Sequence, residues 1–290
     1  MSAGLDARHV RHAFGRAAAT YEAHAVLQAE VGARLLERLD GDELAPARVL
    51  DVGSGPGRGT AALCSRFPDA HVVALDLALP MLHAAALHAG DPRAFARVGG
   101  DAQALPFADG GFDVVHSNLC LQWCDDPGLA IAEFARVLKP GGLLLFSTFG
   151  PATLHELRTA FAAADATPHV GRFVDMHDIG DALLTTGFRD PVLERDDFTL
   201  TYADALTLMR ELRAIGATNA DAKRQRTLTG KAHLKSVVDA YEAFRSDGVL
   251  PATYEVVYAH AFAPAPGQPR RTPGGEIASF PIERLRGRRR

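Results

Sequence analysis

Asp51, Asp76, Asp101 and Asn118 each stand at the end of a short apolar run, and the first leads into the glycine-rich stretch VLDVGSGPGRGT. A carboxylate offers two acceptor oxygens, so an acid closing the second run matches the two hydroxyls of a ribose; Asp76, 25 residues beyond Asp51, is so placed. The stretch GDAQALPF supplies Asp101 and, around Ala102, backbone amides for an adenine edge. Asp51, beside the glycines, can orient their turn or accept from a ligand ammonium. Gly53, Gly55 and Gly57 permit positive φ and put no side chain between their peptide groups and an approaching ligand. Their spacing departs from the dinucleotide fingerprint, whose third glycine comes three positions after the second. It also lacks the Gly-Lys-Ser/Thr ending of a phosphate-binding loop. The pattern points to a ligand of sugar and base with little negative charge.

These residues need strands behind them. ARVLDVG, AHVVALDL, ARVGGDA, FDVVHSNL and GLLLFSTF read as five strands, with helical stretches near 60–67, 80–89 and 127–138 between them. The alternation predicts an α/β, Rossmann-like fold with a mostly parallel sheet and helices on both faces. In such sheets, ligands bind beyond the carboxyl ends of the strands, where strand order reverses. Residues 5–40 read as one or two helices. A helix around 179–186, the strand-like end of PVLERDDFTLTY, a polar helical block over about 203–245 and a last strand in ATYEVVYAHAFAP follow.

Composition narrows the function. A 290-residue chain with 47% hydrophobic residues is ample for a packed core. The N-terminus has no apolar stretch of signal-peptide length and no segment is long enough to span a membrane, so the expectation is a cytoplasmic protein. Three irregularly spaced cysteines form no disulfide framework or zinc knuckle, and twelve histidines include no H-E-x-x-H pair, so no metal site is expected. Net charge is −4, yet Arg210–Lys235 and Arg270–Arg290 each hold seven basic residues against two acidic ones. That asymmetry suits an acidic partner meeting one face. Neither nucleic acid nor a membrane is expected as a partner.

VLDVGSGPG, VVALDLALPML, GDAQALPFADGGFDVV and RVLKPGGLLLFSTF, over residues 48–149, resemble the class I S-adenosylmethionine-dependent methyltransferases. The resemblance implies a seven-stranded sheet and S-adenosylmethionine as cofactor. It places Gly53, Gly55 and Gly57 against the cofactor's amino-acid part, Asp76 at the ribose, Asp101 at the adenine and Asn118 at the contact after strand four. Ser54 stands where many relatives carry cysteine, a small change.

The pieces AFGRAAATYEAHAVLQ, SNLCLQWCDD, FGPATLHELR, DATPHVGRF, MRELRAIGATN and YEVVYAHAFAP extend the resemblance to the malonyl-acyl carrier protein O-methyltransferases of biotin synthesis. It implies esterification of the free carboxyl of a malonyl thioester on acyl carrier protein, with malonyl-CoA as another carrier. A carboxylate with a pKa near ~4 is already ionised at neutral pH and needs no general base. Catalysis then rests on in-line placement, exclusion of water and groups that hold the carboxylate.

On this reading Tyr21 is a hydroxyl close to the transferred methyl, Gln122 and Trp123 line the acceptor pocket, Arg172 or Arg213 holds the substrate carboxylate, and His169 assists. The expected division is a helical lid (1–45), a cofactor-binding core (46–202), a helical insertion over the acceptor site (203–247), the last core strand (248–264) and a loosely held basic tail (265–290). Lys223, Arg224 and Arg226 form the expected docking face for the carrier protein. Rival expectations are a methyltransferase for a free small acid and an assembly factor or hydroxylase built on the same fold.

Overall fold

The structure, a computed structural model, describes residues 4–39, 44–88, 95–224, 230–264, 270–272 and 275–277. The N-terminal segment forms three helical pieces: α1 (Ala7–Ala17), α2 (Tyr21–His24) and α3 (Val26–Glu37). Asp6 starts α1 by accepting from the His9 amide at 3.1 Å. The core then alternates β1 (Arg48–Val52), α4 (Arg58–Arg66), β2 (His71–Asp76), α5 (Leu79–His88), β3 (Ala96–Gly99), β4 (Phe112–Asn118), α6 (Pro127–Val137) and β5 (Leu138–Phe149). Next come α7 (His155–Ala164), α8 (Met176–Thr186), β6 (Arg189–Tyr202), α9 (Ala205–Ala214), α10 (Lys231–Tyr241) and β7 (Leu250–Phe262).

The punctuation follows local chemistry. Asp126 caps α6 through the Gly128 and Leu129 amides, with Pro127 in the first turn where a missing N–H costs nothing. Asp175 opens α8 and Gly187, at φ +93°, closes it. The polar helical block expected over about 203–245 holds α9 and α10, and between them Gly216, at φ +80°, follows α9 and leads into non-helical residues up to Arg224.

Seven strands form one sheet in the order β3-β2-β1-β4-β5-β7-β6. β1 pairs in parallel with β2 and β4, whereas β7 runs antiparallel to both β5 and β6. Strand order therefore reverses between β1 and β4. Alternating strand residues feed two cores. Val49, Val114 and Leu145 pack with α3, α4 and α7 through Val31, Leu63 and Leu157. Leu50, Val115 and Leu144 pack on the other face with Phe134 of α6 and Leu183 of α8. Parallel strands covered on both faces explain their nearly continuous apolar runs.

Of residues 265–290, only the antiparallel pair β8 (Arg270–Thr272) and β9 (Gly275–Ile277) is described. The remainder of the expected loose tail lies outside the described residues. No helix among the described residues is long and apolar enough to cross a membrane.

Candidate active site

A cavity opens at the carboxyl ends of β1, β2 and β4 and is roofed by the N-terminal helices and the loop after α9. Its floor is the glycine turn. Gly53, Gly55 and Gly57 have φ of +72°, +53° and +93°. An added Cβ would lie 2.6 Å from Cys120 at Gly53 and 2.9 Å from Ala85 at Gly57, but would meet nothing within 4 Å at Gly55. Two of the glycines are thus demanded by packing, while Gly55 lines open cavity. Gly57 also starts α4 in the left-handed conformation.

Asp76 lines the cavity and accepts from the Gly55 amide at 2.9 Å and the Ala78 amide at 2.7 Å. Burial pushes its carboxyl up to about 6, against the lowering pull of those two amides. Asp101 and Ala102 line the same cavity, and Asp101 is set by accepting from the Gln103 amide at 2.9 Å.

Asp51 does not line the cavity. It is 2% exposed beneath the turn, where its two oxygens are taken by Thr60 Oγ1 at 2.5 Å and His116 Nδ1 at 2.8 Å. Of its two expected roles, this geometry serves the orientation of the turn. His116, on β4, escaped the sequence reading because nothing in FDVVHSNL marks it apart from its apolar neighbours.

Asn118 lines the cavity with both ends of its amide engaged: it donates to the Gln28 carbonyl of α3 at 2.9 Å and accepts from Ser147 at 2.7 Å. It ties the N-terminal helices to the strand ends. The Gln122 amide likewise donates to the Leu119 carbonyl at 2.8 Å. Leu119 and Leu154, both on the cavity wall, hold positive φ of 49° and 52° without being glycine, as do Asp190 and Asp247 away from it.

Tyr21, Trp123 and Phe14 form an aromatic group over the cavity. Phe14 meets Trp123 edge to face with centroids 5.0 Å apart and lies 6.5 Å from Tyr21. Phe14 was not anticipated, although AFGRAAATYE puts it seven residues before Tyr21, on the same helical stretch. Burial raises the Tyr21 hydroxyl well above its ordinary pKa, with Asp76 adding to the shift, so Tyr21 stays a neutral donor. The roof is tied down by Thr20 donating to the Ala214 carbonyl at 2.7 Å and by His9 Nε2 at 3.1 Å from the Thr218 hydroxyl.

The two candidate arginines part company. Arg172 lines the cavity, and no hydrogen bond or ion pair binds its guanidinium among the described residues. Arg213, in the last turn of α9, is exposed and is not part of the cavity wall, although Leu212 beside it is. His169 lines the cavity but packs flat on Phe161 at 4.2 Å and contacts Asp165 at 3.0 Å. Of the expected docking residues, Lys223 is exposed, Arg224 is paired with Asp6 at 3.1 Å, and Arg226 lies outside the described residues.

The strand order, with an antiparallel β7 between β5 and β6, and a bare turn at the switch point define a methyltransferase of the class I, S-adenosylmethionine-dependent fold. The "Methyltransferase domain" family model matches residues 50–146. Haemonchus contortus phosphoethanolamine N-methyltransferase 2, in complex with phosphomonomethylethanolamine and S-adenosylhomocysteine, shares the fold. Its TM-score is 0.52 at 20% identity, covering 80% of this chain and 52% of that one.

Sequence similarity is far closer to a narrower group. The malonyl-[acyl-carrier protein] O-methyltransferase of Xylella fastidiosa (strain M23) is 50% identical over 293 residues, 100% of this chain and 99% of the relative. Its namesake from Laribacter hongkongensis (strain HLHK9) is 50% identical over 285 residues, 95% and 96% of the two chains. The chain belongs to this family.

Proposed function

We propose that this protein transfers a methyl group from S-adenosylmethionine to the free carboxylate of a malonyl thioester on acyl carrier protein. The product is the malonyl methyl ester that starts pimeloyl synthesis for biotin. The observation that carries this reading is Arg172, a guanidinium with no partner among the described residues, on the wall of the cavity that also holds the glycine turn and Asp76. The full-length similarity to malonyl-[acyl-carrier protein] O-methyltransferases supports it.

The residues present suit the cofactor. Gly55 faces open cavity where a side chain would intrude, and Asp76 keeps acceptor capacity on both oxygens beyond its two backbone donors. On this reading Gly53, Gly55 and Gly57 shape the cradle, Asp76 takes the ribose hydroxyls, and Asp101 with the backbone near Ala102 takes the adenine. Asn118 fixes the helix above them. When bound, the cofactor supplies an electrophilic methyl on a sulfonium.

Everything else falls to orientation. Arg172 holds the acceptor carboxylate as a bidentate partner. Tyr21, kept protonated by burial, donates a hydrogen bond at the cavity, and Phe14 and Trp123 exclude water. No side chain has to remove a proton, since the acceptor enters ionised. Lys223, exposed on the segment after α9, offers an acidic carrier protein a point of approach. Cys64, Cys120 and Cys124 form no disulfide among the described residues, in keeping with a reducing, cytoplasmic setting.

Steady-state kinetics on malonyl-acyl carrier protein, malonyl-CoA and free small dicarboxylic acids test the acceptor. A kcat/KM highest for the carrier-bound substrate, and reduced by Lys223→Glu for that substrate alone, is expected. Equal use of free acids would refute the reading.

A further inference from the structure

At the edge of the cavity three potential ligands from three different segments converge. Asp165 ends α7, His169 sits in the following loop and His233 lies in the first turn of α10. His169 Nε2 is 3.0 Å from each Asp165 oxygen, and His233 Nε2 is 3.3 Å from Asp165 Oδ2. One ligand atom from each residue lies within 4.8 Å of the others. Donor atoms about 2.0–2.1 Å from a tetrahedral zinc stand about 3.3 Å from one another by simple geometry. The two histidine–carboxylate spacings, 3.0 and 3.3 Å, are close to a tetrahedral edge.

A second observation separates this cluster from an ordinary histidine–carboxylate clamp. His233 Nε2 is buried and has no hydrogen-bond partner among the described residues, although the carboxylate is at hand. The nitrogen faces the oxygen without the alignment of a hydrogen bond, a costly arrangement for a buried polar atom. Ligation of a cation set between the two would satisfy it. His169 is held in plane by stacking on Phe161, with an interplanar angle of 15°, and the Thr167 amide donates to Asp165 at 2.7 Å. Such supports orient metal ligands.

The geometry points to a Zn2+ site formed by Asp165, His169 and His233, with water completing the coordination. Two imidazoles and one carboxylate favour zinc over magnesium or calcium, which take all-oxygen sets. The ion has a structural task. It joins the end of α7, α10 and the loop that carries Arg172 and Phe173 to the cavity, and so fixes the acceptor-side wall. The argument rests on ligand geometry and does not depend on which acid is methylated.

The test uses the full-length protein stripped with a chelator and titrated calorimetrically with Zn2+, then with Co2+ followed by visible absorption. One ion per chain, the intense d–d bands of four- or five-coordinate Co2+ and a raised melting temperature are expected. His233→Gln and Asp165→Asn should each weaken Zn2+ binding by more than about 100-fold, beyond what loss of an outer partner costs. Circular dichroism and binding of S-adenosylhomocysteine serve as checks that each variant is folded. Absence of saturable binding to the parent chain would overturn the site. So would unchanged affinity in both folded variants, which would put the ion elsewhere.

Discussion

Replacing Asp76 with asparagine separates what this carboxylate does for binding from what it costs the fold. Burial lifts its pKa from 3.8 to about 6, so the cofactor-free folded chain holds a proton there that the unfolded chain has released. The group therefore favours folding most when protonated, and that advantage is lost as the pH rises through the unfolded and then the folded pKa. On acidification from about pH 7 to about pH 5, the two pKa values convert to a gain of about 1.3 kcal/mol for the parent chain. The asparagine variant, which does not titrate, lacks this gain; other groups contribute alike to both proteins and cancel. Its amide can accept from only one of the Gly55 and Ala78 amides, which shifts the stability difference at every pH but not its slope. Urea unfolding without cofactor, at the two pH values, reads the difference. Calorimetric titration with S-adenosylmethionine should show the opposite trend, with the parent chain losing about tenfold in affinity over the same interval as the acceptor oxygens are protonated. A stability difference that is the same at both pH values, or affinity that does not fall on acidification, would refute the reasoning.

Three further contrasts follow from the geometry. Gly53→Ala drives a Cβ to 2.6 Å from Cys120 and should lower the melting temperature more, whereas Gly55→Ala meets no neighbour, bears only the strain of its positive φ and should weaken cofactor binding with the smaller loss of melting temperature; thermal scans with and without S-adenosylhomocysteine distinguish them. Thr60→Val leaves one oxygen of the buried Asp51 without its partner, and urea unfolding should show a loss of about 1–3 kcal/mol. Arg172→Ala should cut kcat/KM for the carrier-bound acceptor by about 100-fold while sparing cofactor affinity. Arg213→Ala should change kcat/KM by less than about threefold, since Arg213 is an exposed charge that stands off the cavity wall which Arg172 lines.

The strand ends were legible because each aspartate follows an apolar run and because a glycine-rich turn has few other uses. The count of seven strands came only through resemblance and their order was not legible, since β5 and β7 lie far apart in sequence and their antiparallel pairing leaves no local trace. Asp51 shows what spacing cannot convey. Its position beside the turn was clear, yet only the fold brings Thr60 and His116 to its two oxygens. Arg172 and Arg213 could not be ranked from the sequence; both are exposed, and only the fold sets Arg172 on the cavity wall and Arg213 off it. Arg224 looked like a free docking charge until folding brought Asp6 to it across 218 residues. The cluster of Asp165, His169 and His233 was invisible for the same reason: two of its members are near neighbours, but the third comes from α10.

The central claim is that the cavity methylates a carboxylate presented by a carrier protein. Intact-mass analysis of malonyl-acyl carrier protein after incubation with this protein and S-adenosylmethionine tests it most directly. The account predicts the mass of one added methyl, removed by an esterase and absent when acetyl-acyl carrier protein, which lacks the free carboxyl, is the acceptor. No added methyl on the malonyl form, with S-adenosylmethionine binding intact by calorimetry, would contradict it.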